Sequence, residues 1–540
     1  MKKKLGHLSL LPAITLAFAT VSASAAPKKC AEETVRSLSN ATCEKSGDAV
    51  ASPSSTGNSS QIVDNGLVIE DVTVISPERP SPVPHVSVVI QNGRITQIAP
   101  GLVAGPHATR MNGHDRFLIP GLIDSHVHVG DAGPLDDDAI AAHPELLQAY
   151  QAQLPRAFLA FGFTTLVDLN SAEEDRTRFI AAPIHPNLYH CGSAVHVLGG
   201  YGAQRPPKNA AAANAANLVY QPAQAKDWPA FLDPRDYTPA RDVDRVAQAG
   251  AVCVKVFVEP GFGGVFHWPV PSAATLAAFR AETRRRGLVL IIHANAVESW
   301  QAALDAHADV IAHGLWHWPG DRFASTPPAD AREVIHRAAL TGIRAQPTLQ
   351  VLYGEQSIFD RSLLEDPRFA DALPHVLVAY LKSQEAQAAA RAMQDQYRQI
   401  FAKLQAPASM DLATAMSIAP ARVTATLRIM LEEKVKLLFG TDTPSGDGGI
   451  GNPPGLNGRL ELSRWAEAGV PLSTILRAST LDNAVAFGLS KDVGTIEVGK
   501  RADLLLLHAD PLQSVAAYDA IDTVILNGSP LPRASLLPAN

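Results

Sequence analysis

Side chains able to bind a metal ion recur in, or just after, apolar runs along this chain. His126 and His128 stand two apart in LIDSHVHV. Alternate residues of a strand share a face, so both imidazoles aim the same way. Alone, a His-x-His pair is commonly incidental; this one follows a Pro-Gly turn and an apolar run, and later runs carry matching residues. Lys255 ends a fourth apolar run, AVCVKVF. A lysine flanked by valines is costly to bury while charged, and a snorkelling lysine fits a central strand poorly. A neutral amine there can react with carbon dioxide, giving a carbamate that bridges two cations an ammonium would repel. His293 closes LVLIIHA and His313 closes DVIAHG. Either alone reads as a core histidine; at equivalent ends of consecutive strands both read as ligands. Asp442 ends VKLLFGTD, where a carboxylate can hold a metal and also accept a proton. Together these residues predict a metal site, with Asp442 in the catalytic role.

The elements that must position them follow from periodicity. Eight runs read as strands: LIDSHVHV, TTLVDLN, NLYHCGSAVHV, AVCVKVFV, LVLIIHA, DVIAHG, IRAQPTL and VKLLFGTD. Helical patterns such as SAATLAAFRAETRRRG and DAREVIHRAALTG lie between most of them. Near-continuous apolar strands alternating with helices predict an α/β protein built on a (β/α)8 TIM barrel, whose catalytic groups sit at the C-terminal strand ends. Alternating strands in 62–119, and a β-rich piece in 486–540, predict a small β-sandwich completed from both chain ends. The barrel would span 120–485, with a helical insertion over about 351–433 that reads as a lid or as a plain solvated hairpin.

Composition excludes several classes. The chain of 540 residues is 46% hydrophobic and 18% charged, which is ordinary for a globular protein. Its net charge of -7 is spread out with no long basic run, which argues against nucleic acid as a partner. Residues 1–25 read as a secretory signal: Lys2, Lys3 and Lys4, an apolar stretch from Leu8 to Thr20, then Ala23-Ser24-Ala25. That stretch is too short for a comfortable membrane anchor, so an exported protein, periplasmic or secreted, is predicted. Residues 26–61 are polar and aperiodic, as in a linker or disordered arm. Cys30 and Cys43 could pair in an oxidising compartment, whereas Cys191 and Cys253, in apolar runs, read as buried small hydrophobes.

FLIPGLIDSHVHVG, GFTTLVDL, GAVCVKVF, VLIIHA, ADVIAHG, LLFGTD and VGTIEVGKRADLLLL in combination resemble the amidohydrolase superfamily, in its imidazolonepropionase-related, prolidase-like branch. The similarity runs from about Ile62 to Gly528. It implies a barrel flanked by a small β-sandwich, two divalent ions, zinc foremost, and these roles: His126 and His128 on the more buried ion, His293 and His313 on the more exposed one, carbamylated Lys255 bridging both, and Asp442 completing the first. Relatives often carry Gly-Gly-His-Gly after the third strand, but this chain has Gly199-Gly200-Tyr201-Gly202. That change unsettles any borrowed substrate preference.

The expected reaction is attack of a metal-generated hydroxide on the carbonyl of a small amide or dipeptide, such as an N-acyl amino acid, with Asp442 moving the proton. His196, Tyr201 and His267 are candidate substrate contacts, with structural or merely exposed roles as the alternative. A mononuclear deaminase on the same scaffold is the nearest rival, and Lys255 argues against it. Esterase or lactonase chemistry is open to the same hydroxide. A non-catalytic exported binding protein is disfavoured by the complete ligand set. Substrate, metal identity and oligomeric state are not encoded in these motifs.

Overall fold

The computed structural model describes residues 61–539, apart from 205–207, 216, 322, 404–406, 408 and 445–449. The signal-like segment and the possible Cys30–Cys43 pair lie outside the described residues.

The first strands are β1 (Gln61–Val63), β2 (Leu67–Val74), β3 (Val83–Gln91), β4 (Arg94–Ala99), β5 (Leu102–Ala104), β6 (Thr109–Asn112) and β7 (Phe117–Pro120). The central strands are β8 (Leu122–Val127), β9 (Phe163–Asp168), β10 (Asn187–His190), the short β11 (His196–Val197) and β12 (Leu218–Val219), then β13 (Cys253–Phe257), β14 (Val289–His293), β15 (Val310–Ala312), β16 (Arg344–Gln346) and β17 (Lys436–Leu437). Last come β18 (Leu504–Leu507), β19 (Ile521–Leu526) and β20 (Ser529–Pro532).

The two chain ends meet in one mixed sheet ordered β20-β19-β18-β7-β2-β3-β4, with β6 also on β2. Alternation drives this layer: Leu67, Ile69, Val86, Val88, Leu118, Leu504, Leu506 and Ile525 bury one shared face. The parallel pair β1-β5 packs against it through Val63, Leu102, Val68 and Val89. Of the run VGTIEVGKRADLLLL, only the Leu504–Leu507 part is a strand. Its glycine-rich first half turns repeatedly and contributes Ile496 to the core.

The eight expected central strands all form, in two parallel arcs: β10-β9-β8 and β13-β14-β15-β16-β17. Burial on both faces explains their apolar runs, as in the VLIIH of β14. Helices between them start and stop on sequence signals. Ser272 caps the helix Ala273–Arg286, which ends on Gly287 at φ +68, a left-handed conformation suited to glycine. The facing edges of the arcs also exchange backbone hydrogen bonds. On one side these run from Val195 N–H to Lys255 and from Phe257 N–H to Val195; on the other, from Asp442 N–H to His126 and from His128 N–H to Thr443. Ile123, Val167, Cys191, Cys253, Ile291, Val310, Ala312 and Leu438 share one interior cluster, covered by Phe487, Leu489 and Val493 from the C-terminal segment.

Cys191 and Cys253 are not independent buried thiols: they form a disulfide, with Cα atoms 4.5 Å apart. Their separation of 62 residues hides the pairing in the sequence. It arises because the residue after β10 lies beside the first residue of β13 (Val252 N–H donates to His190 C=O), so the bond joins the two arcs. Between β16 and β17 the chain runs through helices, including Leu349–Glu355, His375–Leu381, Gln384–Lys403 and Ile418–Glu432. Lys382 and Ser383 turn the chain between the helices His375–Leu381 and Gln384–Lys403.

Candidate metal centre

His126 points from β8 and His128 follows its end, with ring centroids 5.3 Å apart. The backbone around His126 is held by Asp124, whose buried carboxylate accepts from the His126 N–H at 3.1 Å, the Thr441 N–H at 3.1 Å and the Thr441 hydroxyl at 2.6 Å. One carboxylate thus ties the first strand to the chain leaving β17. Gly440, in the LLFGTD run, makes that approach possible: a Cβ there would sit 2.8 Å from the Cβ of His126.

Asp442 lies at this junction. Its Oδ1 is 2.8 Å from His128 Nε2 and 3.2 Å from His126 Nε2, and its Oδ2 is 3.8 Å from His313 Nδ1. Burial alone would raise this carboxyl. The imidazoles of His126 and His313, with hydrogen bonds from His126 and His128, hold it well below the usual range. Burial opposes charge on His128, but the hydrogen bond and charge of Asp442 raise it to about 9. Burial, then the nearby Lys255, lowers His126 to about 3.

Lys255 occupies the middle of β13 rather than its end. It is 1% exposed, and its Nζ lies 3.4 Å from His126 Nε2. Burial brings the amine down to about 7, against the pull of Asp442, a shift toward the neutral form. That is the protonation state carbamate formation requires.

His293 ends β14 and His313 follows β15, with ring centroids 4.5 Å apart. Both imidazoles are held neutral by burial: His293 is lowered, and His313, with His293 beside it, is lowered well below its ordinary value. Thr348 Oγ1 lies 3.1 Å from His313 Nδ1. His313, Thr348 and Asp442 all adopt positive φ, at 80, 44 and 62 degrees. Three non-glycine residues in the left-handed region around one site are a mark of geometry imposed by surrounding structure.

The donor set suits a divalent cation. Ligand atoms of His126, His313 and Asp442 lie within 4.8 Å of one another. The buried His126 Nδ1 and His293 Nδ1 have no hydrogen-bond partner. Neutral His126, His293 and His313 and an ionised Asp442 are the forms that bind metals, whereas His128, raised by Asp442, must give up a proton to join them.

The three candidate substrate contacts separate. Tyr201 stacks on His293 with centroids 5.4 Å apart and packs on Phe257, Phe262 and Trp268. His196 is buried, with its Nδ1 2.6 Å from the Tyr201 carbonyl and its ring on Phe257, and burial lowers it to about 4. It shapes the loop carrying Tyr201. His267 is exposed, and no contact joins it to the cluster among the described residues.

Sequence reading missed three carboxylates beside the site. Asp168, at the end of β9, bonds the Ser171 hydroxyl and is raised to about 6 by burial, with His128 opposing. Glu259 lies 3.2 Å from His293 Nε2. Glu355 is raised to about 8 by burial and by the charge of Asp442. The spacing of Asp168 at a strand end could have flagged it; Glu259 lies in a loop, where no periodicity applies, and Glu355 ends the helix Leu349–Glu355, far from any strand end.

An amidohydrolase family model matches residues 117–531. A 5-methylthioadenosine/S-adenosylhomocysteine deaminase of Thermoanaerobacter pseudethanolicus is 29% identical over 114 residues, 18% of this chain and 26% of that protein. An allantoinase of Streptomyces avermitilis is 28% identical over 231 residues, 42% of this chain and 41% of that one. The matches therefore span well under half of each relative. Among solved structures, a Xaa-Pro dipeptidase with methionine bound in its active site superposes with a TM-score of 0.58 at 18% identity, covering 86% of this chain and 99% of that one. That likeness is one of fold. With more than half its length matched, this chain belongs to the amidohydrolase family.

Proposed function

We propose that this protein is an exported hydrolase that cleaves a C–N bond of a small amide or dipeptide, using two divalent ions, zinc foremost, held by His126, His128, His293, His313, Asp442 and a carbamylated Lys255. The observation that carries the reading is the convergence of Lys255, His126 and Asp442 at contact distance, deep in the protein. On this reading the two arcs close into a (β/α)8 barrel over 120–485, with 62–119 and 486–540 as one flanking β-sandwich and the helices of 351–433 as a lid. The backbone bonds at both arc edges support closure.

Two such ions would supply hydroxide at neutral pH and polarise the substrate carbonyl. The chain's own groups do the rest. Asp442, ionised and held by two imidazoles, can accept a proton on Oδ1 or Oδ2 and return it to the leaving nitrogen. Tyr201, stacked on His293, offers an aromatic wall for the substrate's apolar part. Export is supported by the Cys191–Cys253 disulfide, a bond that persists in oxidising compartments. Among the described residues no helix is long and apolar enough to cross a membrane.

The test is metal content per chain beside Lys255→Ala, followed by a screen of dipeptides and N-acyl amino acids. About two ions in the parent and fewer in the variant support the reading. One ion in both removes the bridge and favours a mononuclear deaminase; deamination is the activity in the name of one curated relative. A chain that takes up no metal would instead be a binding protein.

A further inference from the structure

Glu259 lies four residues beyond Lys255, at the root of the loop joining β13 to the helix Ala273–Arg286, and its side chain is fully buried. Burial of a carboxylate requires donors for its lone pairs. Oε1 accepts the Gly261 N–H at 2.7 Å and the Phe262 N–H at 2.5 Å. Oε2 accepts the Asn295 Nδ2–H at 2.6 Å and faces His293 Nε2 at 3.2 Å. Main-chain N–H groups cannot reverse their polarity, and the amide of Asn295 presents its nitrogen. Asn295 Nδ2 also lies 3.4 Å from His293 Nε2, but it already donates to Oε2 at the shorter 2.6 Å, and the acceptor-only carboxylate, at 3.2 Å, gains its fourth donor when His293 carries its proton on Nε2. The other ring nitrogen, Nδ1, is then a bare lone pair, and it is the buried atom that has no partner.

The same carboxylate organises the loop. Gly261, at φ +132, has no room for a side chain, since a Cβ would lie 2.0 Å from the Phe266 carbonyl oxygen. The turn it allows is closed by the Phe266 N–H donating to Gly261 at 2.9 Å and the Trp268 N–H donating to Pro260 at 3.0 Å. This places Phe262 against Tyr201 and Trp268, in the aromatic group that also touches His293.

We propose that Glu259 is a positioning residue: its carboxylate holds the His293 proton on Nε2, so that Nδ1 is the cation-binding atom, and clamps the aromatic loop to that same ligand. The proposal rests on the metal-hydrolase reading for its consequence, but its geometry concerns only this chain's own residues. A carboxylate behind a ligating imidazole fixes ring orientation and raises ligand basicity, and its loss weakens metal binding about 10–100-fold. Glutamine cannot substitute, because it has one acceptor oxygen where two are used.

The first experiment is nuclear magnetic resonance of the full chain labelled with 15N-histidine, after treatment with a chelator. The His293 signals are identified by their loss in His293→Gln. A proton on Nε2 supports the proposal; a proton on Nδ1, or rapid exchange between the two, overturns it. This readout needs neither metal nor activity, so it is separate from the hydrolase reading. The second is zinc affinity by chelator competition in parent and Glu259→Gln. The expected result is one ion bound about 10–100-fold more weakly and the other unchanged. Equal affinities for both ions would overturn the metal-positioning role. A parent that binds no zinc would sink the hydrolase reading itself, whatever the tautomer.

Discussion

Within the candidate metal centre, His126 of one strand arc and His293 and His313 of the other are held by different means. In the arc β8–β10, His126 is placed through its backbone: Asp124 receives the His126 N–H and the N–H and hydroxyl of Thr441. In the arc β13–β17, the rings of His293 and His313 are held directly, by Glu259 and Thr348. A brace on the backbone fixes where a ligand sits and shares its energy with the fold. A brace on a ring fixes which nitrogen is offered, and Glu259 also ties down its own loop. Asp442 belongs to neither arc alone, because it follows β17 and contacts histidines of both.

Substitutions can break this contrast. The largest effect is expected at the junction. Asp442→Asn removes the proton acceptor and should lower kcat by roughly 10³-fold or more, within the range of general acid–base catalysis and lost electrostatics. Steady-state assays on the best substrate of the amide screen would check it, and near-parent turnover would remove Asp442 from the chemistry. Next is the covalent link between the arcs. Replacing both Cys191 and Cys253 with alanine opens a loop of 62 residues and should cost about 4 kcal/mol. Chemical denaturation of parent and variant measures this directly.

Smaller effects test the braces. Asp124→Ala leaves buried donors of His126 and Thr441 without an acceptor, at about 3 kcal/mol in stability. Its denaturation midpoint should fall even with chelator present. Thr348→Val keeps the shape but deletes the hydroxyl beside His313 Nδ1. It should weaken zinc binding about 10-fold and barely move the midpoint of the chelated protein. If Asp124→Ala instead spared stability and Thr348→Val unfolded the chain, the contrast between the arcs would be wrong.

Much of this was legible in the residues because strands buried on both faces must be apolar throughout. A histidine or lysine in such a run stands out, as Lys255 does among Cys253, Val254 and Val256. The split β-layer was legible because alternation in the first strands recurs near the C-terminus, and two half-layers can be completed only by meeting. The turn-rich 493–503 stretch was less so, because its scattered Val and Ile mimic a strand while its glycines break one.

The sequence by itself determined the candidate ligands, the succession of strands along the chain and the family, since each rests on residue type and local period. Tertiary structure decided what depends on neighbours remote in the chain. Cys191 meets Cys253 because β10 ends beside the start of β13, which no local pattern records. Glu259 reaches His293 because β13 pairs with β14 in a register that sets Phe257, two residues before it, opposite His293. Loops carry no period to read, and the partner of a buried carboxylate is set by three-dimensional packing and the need to satisfy every lone pair.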